Sequence, residues 1–148
     1  AGSQFPPSGS APRPGTANAA GIEGLSAAFD FVAQKGIGKI REHEMRLTMM
    51  LLDGLQSIPG VIVHGRKTSE GRIAVVSFTV EGMSPSDISF ALDERYGIMT
   101  RPGLHCAPAA HRSIGTFPEG TVRMSLSPFT SDEEILYAVE AVSALSVK

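Results

Sequence analysis

The sequence of 148 residues predicts an α+β domain: a small, mainly antiparallel sheet with helices packed on it. Three observations carry that expectation. Leu47, Leu51, Leu55 and Ile58 recur at helical spacing and give one stretch an apolar face. Ala74, Val76, Phe78 and Val80 occupy alternate positions of a short run, as do Val122, Met124 and Leu126 later, which is the period of a strand with one buried face. The pattern Thr130-Ser-Asp-Glu133 stands as a capping box ahead of a final helix carrying Ile135, Ala138, Val139, Val142 and Leu145.

Taken in order, residues 1–20 are rich in Gly, Ser, Pro and Ala and cannot bury enough apolar surface to fold alone, so they read as an arm or linker before a domain over 21–148. From Gly21 the pattern turns helical, with Asn18 placed to cap it. The step Gly36-Ile-Gly38 predicts a break before a second helix that runs to about Ser57, where Pro59-Gly60 stops it. Val61–Val63 and Ile73–Val80 read as strands joined by a flexible hairpin connection from Gly65 to Gly71. Ser84-Pro85 is an N-cap followed by proline at the first helical position, opening a helix whose Ile88, Ala91, Leu92 and Arg95 share a face and which ends near Gly97. A short strand, Ile98–Arg101, delivers the chain to a loop. The last strand, Thr121–Leu126, turns Val122, Met124 and Leu126 to the core and Thr121, Arg123 and Ser125 away from it.

Composition excludes several classes of function. Thirteen basic against fifteen acidic residues give a net charge of −2, and Lys35, Lys39, Lys67 and Lys148 are scattered, so no nucleic-acid partner is expected. Apolar runs such as Met49–Leu52 and Ile73–Val76 fall far short of the ~20 residues that span a bilayer, and no signal peptide opens the chain, so no membrane is expected either. A single cysteine cannot form an internal disulfide, which points to a reducing, cytoplasmic setting. Residue 1 is not methionine, which points to a processed end or a cut within a longer protein.

That cysteine carries the most chemistry. Arg101-Pro-Gly-Leu-His-Cys-Ala-Pro108 places Cys106 on a loop punctuated by Pro and Gly, near Arg101, His105, His111 and Arg112. The thiolate is the nucleophilic form, and cations nearby raise its population. The alternative is a small buried hydrophobe, which describes most free cysteines. A metal is not expected, because Cys106 with His105 and His111 offers no clear fourth ligand. A Cys–His hydrolase pairing needs a histidine from a distant segment, whereas His64 reads as a strand-end residue and His43 as a solvated helix position.

Gly15-Thr-Ala-Asn18, the helix from Gly21, Arg101-x-Gly-x-His-Cys-Ala-Pro108, Gly120-Thr-Val-Arg123-x-Ser125 and a final Glu-Glu-Ile helix, in this order, resemble the C-terminal part of class V aminotransferase-fold enzymes. Within that fold they are most similar to cysteine desulfurases. The resemblance covers roughly residues 14–146. It implies the small C-terminal domain of a fold-type I enzyme that uses pyridoxal phosphate to take sulfur from L-cysteine, releasing alanine and leaving a persulfide on Cys106. Arg123 then matches the arginine that holds the substrate carboxylate. Arg101 and His105 belong to the active-site loop, and Thr16 matches the residue that reaches the cofactor phosphate of the partner subunit in a homodimer. A sulfur-acceptor protein is a further implied partner. Without the resemblance, Arg123 also fits an outward arginine paired with a glutamate, and Thr16 a turn residue in the arm.

The chain departs from the family in one respect: none of its four lysines stands in the Schiff-base context, which lies upstream in the large cofactor domain. The expectation is therefore half an active site, inactive alone. Two other outcomes stay open, another class V enzyme of selenocysteine lyase or aminotransferase type, and a non-catalytic module that binds a partner or carries sulfur.

Overall fold

The computed structural model describes residues 18–146. They divide into two compact units between Ile37 and Gly38. The first holds helix α1 (Ala19–Lys35), capped by Asn18, whose side chain accepts from the Gly21 N–H at 3.0 Å, and closed by Gly36, whose N–H reaches Val32 O. None of its residues is buried.

Helix α2 (Ile37–Gln56) starts at the division and leads through the second unit. There β1 (Val61–His64), β2 (Val75–Val80), α3 (Pro85–Tyr96), β3 (Arg101–Gly103), α4 (Pro108–Ile114), β4 (Thr121–Ser125) and α5 (Asp132–Ser146) follow. The four strands form one antiparallel sheet in the order β1-β2-β4-β3. Strand alternation sends Val63, Val76, Phe78, Val80, Val122 and Met124 to one face. That face joins Leu47, Leu51, Leu52 and Leu55 of α2, Ile88 and Leu92 of α3, and Ile135 and Val142 of α5 in a single core. Each such side chain, fully buried, contributes roughly 1.5–3 kcal/mol against chain entropy.

Four local expectations are corrected. β3 begins at Arg101 rather than Ile98, because Ile98 closes α3: Gly97 takes a left-handed φ of 65° and the Ile98 N–H returns to Leu92 O at 3.0 Å. The capping box is Ser131-x-x-Glu134, one residue later than expected. The Glu134 N–H donates to Ser131 Oγ at 3.2 Å and the Ser131 N–H to Glu134 Oε2 at 2.8 Å, while Thr130 Oγ1 accepts from Ser127. His43 is half-buried rather than freely solvated; its Nε2 donates to Thr130 O at 2.9 Å and ties α2 to the loop before α5. The segment after Cys106, expected as loop, forms α4, with Pro108 in its first turn and Gly115 closing it at φ 76°.

Candidate active site

The second face of the sheet carries the polar residues. Pairing places His64 opposite Ser77, Ser77 opposite Arg123 and Arg123 opposite Arg101, so one row crosses all four strands. Directly opposed residues point to the same side. Arg101 and Arg123 therefore stand side by side, their strands about 4.8 Å apart. Like charges directly opposite destabilise a sheet. Neither guanidinium has a carboxylate to offset that cost, since among the described residues the ion pair is elsewhere, Arg46 with Asp132. The alternative in which Arg123 pairs with a glutamate is thus not what the fold forms. Instead Arg123 Nε is buried without a hydrogen-bond partner, as is Thr121 Oγ1 two residues earlier on the same face. Thr121, although turned from the core, is only 1% exposed.

β3 ends at Gly103, with φ 100°, and the chain enters a tight turn closed by the Ala107 N–H on Leu104 O at 2.8 Å. His105 and Cys106 occupy that turn at φ 51° and 61°, left-handed values that side chains other than glycine seldom adopt. Cys106 is exposed. His105 Nε2 donates to the Arg101 carbonyl at 2.9 Å, which fixes its proton on that nitrogen.

The four cations expected around the thiol are not free to serve it together. Arg101 lies beside Arg123 on the sheet. His111 is buried, its Nδ1 sharing a hydrogen bond of 2.7 Å with the Thr116 hydroxyl, and Arg112 stacks on Phe117, 4.3 Å above the ring. Thr16 lies outside the described residues. Among the described residues no three His, Cys, Asp or Glu side chains group to hold a metal ion.

Two features of this face escaped the sequence reading. His64 joins the polar row and its Nε2 bonds the Thr79 hydroxyl at 3.0 Å. Burial, and then the charge of His111, holds its pKa below the ordinary histidine value, so the ring is biased toward its neutral form. Alternation in Val61-Ile-Val-His64 would have placed it there, because Val63 is the core position. A cleft of about 570 Å³ opens beside it, bordered by Thr79, Thr116 and Glu119. Neither Cys106 nor the arginine pair lines it.

The sequence profile of the family described as Aminotransferase class-V matches residues 2–137. The chain belongs to this family. Among class V relatives, a probable cysteine desulfurase of Methanothermobacter thermautotrophicus is 34% identical over 133 residues, 89% of this chain and 33% of that protein. One from Xylella fastidiosa is 40% identical over 121 residues, 82% of this chain and 28% of that protein. The apo cysteine desulfurase of Thermococcus onnurineus superposes with a TM-score of 0.81 at 32% identity, covering 89% of this chain and 32% of that one. A cysteine desulfurase of Escherichia coli, described as an S-sulfonic acid form, gives 0.74 at 30% identity, covering 88% and 31%. This class V chain thus spans about a third of the length of these four proteins, and it shares the α+β architecture of the two solved structures.

Proposed function

We propose that the chain is the C-terminal domain of a cysteine desulfurase, in which Arg101 and Arg123 receive the carboxylate of L-cysteine and Cys106 takes its sulfur. The observation that carries this reading is the arginine pair: two arginines opposed on one face, without an ion-pair partner among the described residues, at the root of the turn that bears the exposed thiol. Guanidinium matches carboxylate as a two-pronged donor, and a strand holds the fork more rigidly than a loop. The names of the relatives point the same way.

The step balances without an external oxidant. The Cys106 thiolate attacks the substrate sulfur, an S–S bond forms as the C–S bond breaks, and the bonding pair passes to carbon, which takes up a proton to become alanine. Cys106 is left as a persulfide, and a sulfur-acceptor protein is its natural recipient. An exposed turn lets such an acceptor reach it.

Pyridoxal phosphate supplies the electron sink for a cleavage of this kind. In support of an anchor elsewhere, Lys35 ends α1, Lys39 lies in α2 and Lys67 on the β1–β2 connection, none of them on β3, β4 or the turn that carry Arg101, Arg123 and Cys106. In this reading the anchor belongs to the remainder of a homodimeric, cytoplasmic enzyme.

The test uses the full-length protein with L-cysteine, followed by trapping and mass spectrometry of the Cys106 peptide. A persulfide on Cys106 during turnover is expected, together with loss of sulfur transfer in Cys106→Ala at nearly unchanged stability, since an exposed side chain leaves no cavity. A Cys106→Ala enzyme that mobilised sulfur at the normal rate would overturn the assignment.

A further inference from the structure

Two consecutive left-handed residues at the thiol, His105 and Cys106, need an explanation in the surrounding structure. Strained backbone of this kind persists only where neighbours over-determine it. The Arg101 carbonyl holds the His105 ring from one side. The ring of His111 lies against it, 5.7 Å between centroids.

His111 does not sit there as a loose packing residue. It is 5% exposed, and its Nδ1 shares the 2.7 Å hydrogen bond with Thr116 Oγ1. Its carbonyl accepts the Thr116 N–H at 2.9 Å, so side chain and main chain clamp the same residue. Thr116 in turn accepts the Gly120 N–H at 2.7 Å, and Gly120 is the last residue before β4, the strand that carries Arg123. A continuous line of contacts therefore runs from the Cys106 turn through His105, His111 and Thr116 to the base of the Arg123 strand.

We propose that His111 is a positioning residue for sulfur transfer: locked to Thr116, its ring is the strut that holds the Cys106 turn in fixed relation to the arginine pair. The proposal rests on the roles given above to Cys106 and Arg123. It is a geometric role, exerted through His105 and Thr116 rather than on the reacting atoms. A nucleophile that must meet a sulfur held by its carboxylate a few bonds away tolerates little error in that relation, because misplacement by about 1 Å can cost ~10²-fold in rate.

The experiment compares His111→Leu, His111→Asn, Thr116→Val and Thr116→Ser in the full-length enzyme. His111→Leu and Thr116→Val remove the hydrogen bond at similar volume, whereas His111→Asn and Thr116→Ser keep a polar group that can remake it. Alanine release gives kcat and KM for L-cysteine, iodoacetamide gives the alkylation rate of Cys106, and melting gives stability. His111→Leu and Thr116→Val are expected to lower kcat roughly 10- to 100-fold while KM and the alkylation rate stay unchanged, since the arginine clamp is intact and a small reagent needs only an exposed thiol. His111→Asn and Thr116→Ser should recover most of the loss. Should His111→Leu fail to fold, the Thr116 pair decides the matter alone.

Normal kcat in Thr116→Val overturns the strut, as does equal impairment of conserving and removing variants, which marks plain packing. Cys106→Ala made alongside separates the two failures. If it is dead while the strut variants are normal, only the strut falls; if it turns over normally, the Cys106 assignment falls and takes the strut with it.

Discussion

At the scale of single residues, the proposed carboxylate clamp sets stability against function. Arg101 and Arg123 oppose each other across β3 and β4 with no ion-pair partner among the described residues, and the fold alone gains nothing from that. Arg101→Gln in the full-length enzyme should leave the melting temperature unchanged or raised, yet lower kcat/KM for L-cysteine. Arg123→Ala should lower it roughly 10- to 100-fold, the worth of a charged hydrogen bond to a carboxylate. Arg123→Lys should recover only part, since a single ammonium cannot form the two-pronged contact. Melting curves beside steady-state kinetics check this, and unchanged kcat/KM in Arg101→Gln would remove that residue from the clamp. Of these features, the direction of Arg123 was legible in the alternation of Thr121–Leu126. Its opposition to Arg101 was not, because register between two strands distant in sequence is set by tertiary pairing. The same limit hid the row that joins His64 to Ser77.

At the scale of elements, long segments with strong periodicity were readable and short ones were not. α2, β2 and β4 each bury one face of a clear pattern, and the structure builds its core from those faces. α4 has only seven residues and one buried side chain, His111, so its signal reduces to the punctuation of Pro108 and Gly115. At the start of α5 two overlapping patterns, Thr130-x-x-Glu133 and Ser131-x-x-Glu134, satisfy the same rule; the fold takes the second because Thr130 is already engaged by Ser127. The contact that decides the site's geometry is between β3 and β4 at their glycine end. Gly120 has φ 83°, and a Cβ there would collide with the Cα and carbonyl of Gly103. Gly115 has φ 76° but open space around it. Both Gly→Ala variants incur the cost of a left-handed alanine, about 1–2 kcal/mol, and Gly120→Ala adds the collision. Denaturant unfolding should therefore rank Gly120→Ala well below Gly115→Ala, with the larger loss of sulfur transfer in the same variant. Equal destabilisation of the two would mean that the close approach of β3 and β4 does not matter.

At the scale of the whole molecule, the second unit carries Arg101 and Arg123 on β3 and β4 and Cys106 in the turn that follows β3, and none of the lysines described in that unit lies on these elements. Lys39 and Lys67 lie on α2 and on the β1–β2 connection, and Lys35 closes α1, while the site is built from β3, β4 and the turn between β3 and α4. The core under that sheet is drawn from α2, α3 and α5 together with the strands, so the second unit has an apolar interior of its own. A Schiff base needs an amine held against its aldehyde partner in an enclosed site, whereas Lys35, Lys39 and Lys67 are exposed on helices and a hairpin connection. Mixed with pyridoxal phosphate and reduced with borohydride, the isolated chain should acquire at most scattered, substoichiometric pyridoxyl groups, read by peptide mass spectrometry. The full-length enzyme treated in the same way should carry one stoichiometric group, on a lysine outside these 148 residues. A unique, stoichiometric pyridoxyllysine at Lys35, Lys39, Lys67 or Lys148 would instead place the cofactor's anchor within this chain and end its description as half of a divided active site.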